Sequence, residues 1–441
     1  MENNKRDEKR EARRKRRIRS QIISYIVLAV LLVIVVFVGY KGAVAASEKI
    51  KEINEPSESI NQAEELAASE NNTGIITSPD EFEISAETVS EPEEQVDETV
   101  PDNQKAREYI ESMPIEQKVA ALFMISPEAL TGVDTVERAG EGTKNALTQY
   151  GVSGLIYEDK NIISSEQFKE MIASTQDMYK ELYNSYIWLA VKEEGAVNTL
   201  AGSATGISAV PAAGEYSEEG LDYQSFITIG NYLNDYGINM NIGICGDVKT
   251  SETAAIGSRA FGSDADSVAG NVGSAVKATI DAGVCPCMTG FVGRGSAENE
   301  TLMAPSTVEL SEEDIKNISS VYKAGIDAGA QSVMLSNVMV SGLTGELPCS
   351  LSPEAVDILR KDFEFKGVIL TDFLDEAAIT DKYSPEDVGV MAICAGADII
   401  VRPADFQKAY DGIIKAVSEG VITEERINDS LMRIYSIKMP E

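Results

Sequence analysis

The sequence predicts an α/β protein whose body is a closed (β/α)₈ barrel of the TIM type, preceded by one transmembrane helix and a disordered acidic linker. Three features of the 441-residue chain support this prediction. Eight short apolar runs alternate with helical stretches, as in successive βα units. One uncharged apolar segment is long enough to cross a bilayer, and a long acidic stretch separates it from the first βα unit.

The N-terminal region predicts a membrane anchor. Residues 1–20 form a basic tail with ten Lys or Arg and four acidic side chains. Residues 21–40 carry no charge, so we predict a transmembrane helix across a hydrocarbon core of about 30 Å. The basic tail places the N-terminus in the cytoplasm; the predicted localisation is the cell membrane, single-pass, with the barrel extracytoplasmic. A signal peptide cleaved near residues 43–45 is the alternative, disfavoured because a signal core usually has only about 7–15 residues.

Residues 41–103 are predicted to be a disordered linker. They mix Glu, Ser, Asn, Thr and Pro with few aromatic residues and no sustained apolar period. Such a segment cannot bury enough apolar surface to offset its chain entropy, and its like charges repel one another. The barrel is therefore predicted to occupy residues 104–441.

The barrel prediction depends on the eight apolar runs. They are VAALFMI (119–125), GLIYE (154–158), IWLAVKEE (187–194), INMNIGI (238–244), CPCMTG (285–290), SVMLSN (332–337), GVILTD (367–372) and DIIVRP (398–403). A doubly wound open sheet is the alternative, but no G-x-G-x-x-G follows the first run and no phosphate-binding loop occurs, so no nucleotide cofactor is predicted. In a barrel the functional residues lie at the C-terminal ends of the strands. These ends place Glu158, residues 192–194, Asp247, residues 289–300, Asn337, Asp372 and Arg402 at one face.

Composition excludes several classes of function. The chain has no histidine, so Ser-His-Asp catalysis, Cys-His catalysis and histidine-ligated metal sites are excluded. With 38 Lys and Arg against 72 Asp and Glu, the protein would be repelled by nucleic acid phosphates, and no nucleic acid partner is predicted. Five cysteines are an odd number that argues against a disulfide framework, and the spacing of Cys285 and Cys287 suits core packing better than a metal or redox site. No metal or other cofactor is predicted, and no motif identifies a protein partner.

Longer motifs show a family resemblance. PIEQKVAALFMIS, YGINMNIGICGDV, IGSRAFGSDADSVAGNV and LPCSLSPEAVDILRKDFEFKGVILTDFLDEAAI follow one another in the order found in the barrel of family 3 glycoside hydrolases. The likeness covers nearly all of residues 104–441 and is greatest to single-domain bacterial β-N-acetylglucosaminidases, or β-hexosaminidases. It implies glycans such as peptidoglycan fragments as ligands.

The resemblance also implies roles for individual residues. Asp372 of Thr371-Asp372 matches the catalytic nucleophile at the end of the seventh strand. Arg259 matches a sugar-binding arginine and Asp247 matches the acidic end of the fourth strand; Asn337 completes the predicted substrate-binding set. The alternatives are structural: Asp372 as a hydrogen-bonded strand-end carboxylate, and Arg259 paired with Asp247 or Asp264.

The family's proton-transfer residues are altered. The family pattern K-H-F-P-G-H-G-D-T followed by D-x-H reads TGFVGRGSA (289–297) and then Glu300-Thr301-Leu302. Glu300 occupies the position of the dyad Asp and is the tentative acid, since a buried carboxyl can donate a proton without an imidazole. The third run ends KEEGA (192–196) where the family has D-Q-E-G-G, and Thr199 lies near the position of a sugar-binding arginine.

Two functional hypotheses follow from these observations. The favoured one is a catalytically impaired or inactive barrel that binds glycans or proteins, because the substitutions cluster at the mouth while the strand motifs persist. The alternative is an active retaining glycosidase on N-acetylglucosamine-containing glycans, with Asp372 as nucleophile and Glu300 as acid. A retaining pair of carboxyl groups lies about 5–5.5 Å apart.

Overall fold

The computed structural model describes residues 97–195, 197–215 and 221–440. In these residues eight parallel strands close into a barrel in the order β1-β10-β9-β7-β5-β4-β3-β2. The strands are β1 (Phe123–Ile125), β2 (Gly154–Ile156), β3 (Trp188–Val191), β4 (Met240–Cys245), β5 (Cys285–Phe291), β6 (Thr307–Glu309), β7 (Ser332–Leu335), β8 (Met339–Ser341), β9 (Val368–Phe373) and β10 (Ile399–Val401). The predicted closed barrel is confirmed.

Helices surround the barrel between successive strands. They are α1 (Gln104–Glu111), α2 (Ile115–Ala120), α3 (Pro127–Thr131), α4 (Glu141–Gln149), α5 (Ser165–Tyr183), α6 (Leu221–Asp235), α7 (Ala265–Asp281), α8 (Glu312–Asp327), α9 (Pro353–Asp357), α10 (Ala377–Thr380), α11 (Pro385–Ala395), α12 (Phe406–Ser418) and α13 (Glu424–Lys438). Side-chain caps mark several starts: Ser164, Asp264 and Thr423 each accept a hydrogen bond from a backbone N–H of the first turn. Pro353 and Pro385 occupy the first turns of α9 and α11, where the missing N–H of proline costs no intrahelical hydrogen bond.

Each of the eight predicted runs overlaps one barrel strand. Strands β4, β5 and β9 extend one residue beyond their runs, and the first run was too long. Residues 119–120 end α2, and β1 begins only at Phe123. A short apolar run does not by itself distinguish a buried helical turn from a buried strand. Val119 and Ala120 are buried in the helical form, so the apolar signal of both elements merges in the sequence.

A small parallel sheet outside the barrel was not predicted. β6 pairs with β8 through Thr307–Met339, Val308–Val340 and Glu309–Ser341. It joins the loop that follows β5 to the loop that follows β7. The loop that carries Glu300 is thereby attached to the loop that follows Asn337.

The predicted localisation as a single-pass membrane protein is corrected. Of the helices between residues 97 and 440, none combines the length and the apolar character needed to cross a bilayer. The longest of these, α5, has 19 residues and carries charged side chains such as Lys169 and Glu181. The predicted basic tail (1–20), the predicted transmembrane helix (21–40) and residues 41–96 of the predicted linker lie outside the described residues.

The last seven residues of the predicted linker, 97–103, contact the folded body. Arg433 Nη2 lies 2.6 Å from Asp97 Oδ2. Asn103 donates a hydrogen bond from Nδ2 to the carbonyl oxygen of Met439 at 2.9 Å. Both contacts join the start of the described chain to α13 and the residue after it.

A buried charge cluster joins three elements at the start of β10. Asp398 is fully buried, and its carboxylate accepts hydrogen bonds from Arg360, from Arg433 at 3.2 Å and from Ser430 at 2.7 Å. It also accepts from the backbone N–H of Ile369 in β9 at 2.9 Å. The last two strands of the barrel and α13 are thus held together by one carboxylate.

Candidate functional site

Asp372 lies in β9 at the barrel mouth and is 2% exposed. Its backbone N–H donates to Ser350 Oγ at 2.9 Å, and its Oδ1 accepts from the backbone N–H of Phe373 at 3.0 Å. Its Oδ2 is buried and has no hydrogen-bond partner among the described residues. The nearest cation to that oxygen is Arg294, whose Nη1 lies 3.8 Å away. The predicted nucleophile therefore faces a guanidinium.

Arg294 lies in the loop after β5, at the position where the family pattern has its second histidine. It is 8% exposed, and its Nη2 lies 3.5 Å from Glu300 Oε2. Burial alone would lower the pKa of Arg294, but the carboxylates of Asp372, Glu376 and Glu300 outweigh it and raise that pKa above its ordinary value. Arg294 is a permanent positive charge between the two predicted catalytic carboxylates.

Glu300, the predicted acid, is bound on its other side by Arg259. Arg259 Nη1 donates to Glu300 Oε1 at 3.1 Å, and its Nε donates to Glu194 Oε1 at 2.5 Å. Arg259 therefore pairs with Glu194 and Glu300, whereas Asp264 caps α7 through Ser267. Residues Glu194, Arg259, Glu300, Arg294 and Asp372 form a chain of alternating charges, here termed the mouth ion-pair chain.

Asp247 is placed to brace loops. It is fully buried; its Oδ1 accepts from the backbone N–H of Val248 at 2.9 Å and its Oδ2 from that of Gly295 at 3.0 Å. Burial raises the pKa of Asp247 to about 6, against the lowering effect of these backbone donors. A Cβ on Gly295 would lie 1.9 Å from the carbonyl oxygen of Val248, so only glycine permits this approach of the two loops.

Asn337, predicted as a substrate contact, binds the loop that follows β9. Its Nδ2 donates to the carbonyl oxygen of Phe373 at 2.8 Å and to Glu376 Oε2 at 3.0 Å. Glu376 is 4% exposed and directly precedes α10. Burial first, and then the neighbouring Asp372 charge, raise the pKa of Glu376 to about 7, while Arg294 opposes the shift.

Sequence reasoning missed Glu376 as a member of the site. The available signal was a cluster of acids at the end of the seventh run, Asp372, Asp375 and Glu376. Asp375 and Glu376 have different surroundings, because Asp375 is paired with an arginine. Asp375 accepts hydrogen bonds from Arg402 Nε and Nη2 at 3.0 and 2.7 Å, and Arg402 also donates to Glu158 at 2.6 Å.

Several acceptor atoms near the mouth lack a donor. Among the described residues, Asp372 Oδ2, Glu194 Oε2 and Asn337 Oδ1 are buried side-chain atoms without a hydrogen-bond partner. Buried acceptors without donors are uncommon, and hydroxyl or amide groups of a ligand would satisfy them. Lys192 lies at the end of β3, where burial lowers its pKa while Glu194 and Asp372 favour its charged form. In the described part of the chain, no group of three or more Cys, Asp and Glu side chains is arranged to hold a metal ion.

Comparison with known proteins identifies the family. The model described as glycosyl hydrolase family 3 N terminal domain matches residues 114–437. The chain belongs to this family. The β-hexosaminidase LpqI of Mycobacterium tuberculosis is 27% identical over 220 residues, which are 48% of this chain and 57% of LpqI. β-Hexosaminidase A of Pseudoalteromonas piscicida is 26% identical over 325 residues, 66% of this chain and 54% of that protein. The chain thus spans about half the length of these family 3 relatives.

Solved family 3 structures show the same barrel. A β-N-acetylglucosaminidase from Paenibacillus sp. FPU-7 has a TM-score of 0.69 and 28% identity, covering 74% of this chain and 62% of that one. The β-N-acetylhexosaminidase from Beutenbergia cavernae has a TM-score of 0.65 and 25% identity, covering 74% of this chain and 98% of that one. The resemblance inferred from the motifs is confirmed at the level of family and fold.

The pKa of Glu376 leads to a prediction about pH and stability. A carboxyl whose pKa is raised in the folded state binds its proton more tightly there than in the unfolded chain. Its stabilising contribution is therefore full below the unfolded pKa of about 4.3 and is lost as the pH rises through about 7. Glu376→Gln is uncharged at every pH and keeps an oxygen for Asn337. We expect its Tm to match the parent's near pH 5 and to exceed it above pH 7.

Thermal unfolding of both proteins from pH 4.5 to 8.5 checks this expectation. Glu354→Gln is the matched control, because Glu354 is exposed in the first turn of α9, where it accepts a hydrogen bond from the hydroxyl of Ser352. Parallel Tm curves for the parent and Glu376→Gln across the whole range would contradict the raised pKa.

Proposed function

We propose that this family 3 protein binds N-acetylhexosamine-containing glycans, such as peptidoglycan fragments, at the barrel mouth and hydrolyses them far more slowly than its relatives do. The mouth ion-pair chain is the observation that supports this proposal. It engages the nucleophile position, Asp372, and the acid position, Glu300, with guanidinium groups. Because both carboxylates are held in ion pairs, the arrangement favours ligand binding over catalysis.

Slow hydrolysis follows from the lack of a suitable proton donor. A retaining glycosidase needs a second group that protonates the leaving oxygen as the nucleophile attacks. Glu300 is at the acid position, but its Oε1 contacts Arg259 and its Oε2 contacts Arg294, so both of its oxygens are already engaged by guanidinium groups. The sequence has no histidine to replace it. Loss of general acid catalysis typically costs about 10²–10⁴-fold in rate.

Glycan binding is supported by the acceptors of the mouth and by the relatives. Asp372, Glu194 and Asn337 each present a buried oxygen that lacks a donor, and sugar hydroxyls and acetamide N–H groups are such donors. These residues lie at C-terminal ends of barrel strands, where barrel proteins bind their ligands. The relatives named above are β-hexosaminidases and β-N-acetylglucosaminidases.

A second candidate function, residual retaining hydrolysis, is favoured by Glu376. This carboxyl titrates with a pKa near 7 beside Asp372, which suits a group that holds a proton at neutral pH. In this reading Glu376, and not Glu300, supplies the proton. Turnover of 4-nitrophenyl N-acetyl-β-glucosaminide that falls at least tenfold in Glu376→Gln but not in Glu300→Gln would support it.

The proposed function predicts saturable sugar binding with little turnover. We expect the full-length protein to bind N,N′-diacetylchitobiose in calorimetric titration, and Arg259→Met to bind it at least tenfold more weakly because the guanidinium that matches the family's sugar-binding arginine is removed. Lys277→Met, on the exposed face of α7, is the matched control and should bind as the parent does. Turnover of the 4-nitrophenyl glycoside should be at least about 10²-fold below that of the Beutenbergia cavernae enzyme assayed alongside.

Two results would contradict the proposal. One is the absence of binding to the disaccharide by the parent protein. The other is turnover at the rate of the Beutenbergia cavernae enzyme that is abolished in Asp372→Asn, because the protein would then be a competent glycosidase.

A further inference from the structure

We propose that Leu302 and Met303 form an apolar subsite at the rim of the mouth, which holds the face of a second sugar ring of a β-linked N-acetylhexosamine chain. This inference rests on the proposed glycan binding and adds to it the length of ligand that the site recognises. The subsite is defined here as the side chains of these two residues.

The exposure of the pair is the first observation. Leu302 is 60% and Met303 is 76% exposed, while the described core buries nearly all other large apolar side chains. Leu302 and Met303 are neighbours in the sequence, whereas the other exposed large apolar residues in the described part of the chain are scattered singly. Those residues are Val133, Ile163, Ile280 and Val421. Single exposed apolar side chains are ordinary, but two adjacent ones beside a polar site require an explanation.

The position of the pair is the second observation. The backbone N–H of Met303 donates to the carbonyl oxygen of Glu300 at 2.9 Å, which closes a turn directly after a member of the mouth ion-pair chain. The carbonyl oxygen of Thr301 accepts from the N–H of Ala378 at 3.1 Å, and that of Leu302 accepts from the N–H of Ala377 at 3.4 Å. The turn is therefore fixed against the start of α10, which Glu376 directly precedes.

These contacts place the mouth ion-pair chain and the apolar pair next to each other. Glu300 contacts Arg259 and Arg294. Leu302 and Met303, two and three residues later, leave their apolar side chains in solvent. A pyranose ring has C–H groups on its faces and hydroxyls at its edges, and an acetamide adds a methyl group. A sugar bound at the mouth ion-pair chain would leave its neighbour in the glycan next to Leu302 and Met303, where the C–H groups of that neighbour can cover the two apolar side chains.

The small size of the patch favours a sugar over a protein partner. A specific protein interface buries about 1,200–2,000 Å² in total, far more than two side chains provide. A single sugar ring needs only an area of this order. The occupant is therefore assigned as the second residue of the same glycan that occupies the mouth.

Paired titrations test the subsite. The full-length parent, the double variant Leu302→Ser/Met303→Ser and the control Val421→Ser are titrated with N-acetylglucosamine and with N,N′-diacetylchitobiose, following protein NMR shifts. Val421 is the control because it is 58% exposed between α12 and α13, remote in sequence from every residue of the mouth. We expect the double variant to bind the disaccharide about tenfold more weakly and the monosaccharide unchanged, with the control equal to the parent throughout.

The possible outcomes separate the two proposals. Unchanged disaccharide affinity in the double variant overturns the subsite while glycan binding stands. An equal loss of affinity for both sugars also overturns the subsite, because the substitutions would then act on the mouth ion-pair chain. If the parent binds neither sugar, the proposed function fails, and the subsite fails with it. Equal Tm values for the three proteins establish that the comparison is between folded chains.

Discussion

Replacing Asp398 with asparagine is expected to lower the free energy of unfolding by about 3–5 kcal/mol, because removing one partner leaves buried charges uncompensated. Asp398 is fully buried, and two guanidinium groups, those of Arg360 and Arg433, lie against it. Asparagine would keep hydrogen bonds to Ser430 or Ile369 but would not neutralise the arginines. The variant would also weaken the closure of the barrel, since the same carboxylate binds the N–H of Ile369 in β9.

The pH dependence of this effect has a defined sign. Burial raises the pKa of Asp398, but Arg360, Arg433 and Arg426 outweigh it, so the net pKa is lowered. A lowered folded-state pKa gives a stabilisation that is present above the unfolded pKa of about 3.9 and is lost as the pH falls through the folded value. The gap in stability between the parent and Asp398→Asn should therefore be full at pH 7 and narrow only in strong acid.

Urea denaturation of the two proteins at pH 7 and pH 4 measures this gap. Asp281→Asn is the matched control, because its ion pair with Lys277 is exposed on α7, where solvent screens the two charges and the pair contributes little to stability. A loss for Asp398→Asn no larger than that of the control would show that the cluster does not stabilise the fold.

Replacing Arg294 with methionine is expected to have the second large effect. Arg294 is 8% exposed and is the cation that lies nearest to Asp372, at 3.8 Å. Without it, the carboxylates of Asp372, Glu300 and Glu376 would remain close together with one fewer counter-charge. We expect a loss of about 3–5 kcal/mol in the free energy of unfolding at pH 8, as for other broken buried pairs.

This loss should shrink as the pH falls, which is opposite to the behaviour of Asp398→Asn. Arg294 opposes the raised pKa of Glu376, so its removal raises that pKa further. A carboxyl with a raised folded-state pKa destabilises the protein only when the pH is high enough to ionise it. At pH 5 the protonated Glu376 would relieve part of the repulsion.

Unfolding of Arg294→Met at pH 5 and pH 8 measures this change. Arg107→Met is the matched control, because Arg107 is 55% exposed and its pair with Asp102 lies in solvent. If Arg294→Met lowers the free energy of unfolding equally at both pH values, carboxylate repulsion is not the cause of the loss. The same variant should also weaken binding of N,N′-diacetylchitobiose, since the mouth ion-pair chain would be broken at its centre.

The sequence placed Asp372, Glu300 and Asn337 at strand ends and the resemblance added Arg259, but neither gave the partners of these residues. In the structure Asp372, Glu300 and Arg259 belong to the mouth ion-pair chain, and Asn337 binds Glu376 beside it. The structural alternative for Arg259 was a pairing with Asp247 or Asp264, and the structure pairs it with Glu194 and Glu300 instead. Arg294 and Glu376, which were not predicted as site residues, are the groups that the structure adds to the surroundings of Asp372.

The sequence by itself determined the barrel, the number of its strands and the face on which the site lies. These properties follow from local patterns. A few consecutive apolar residues indicate a strand, and the polar residue after them indicates where the strand ends. The tertiary structure alone decided which charges meet. Arg259 is 65 residues from Glu194 and 41 from Glu300 along the chain, and Asp398 is 38 from Arg360 and 35 from Arg433. Such pairs arise only when the barrel closes. Burial then raises the pKa of Glu376, and the neighbouring arginines lower the pKa of Asp398, which no local pattern encodes.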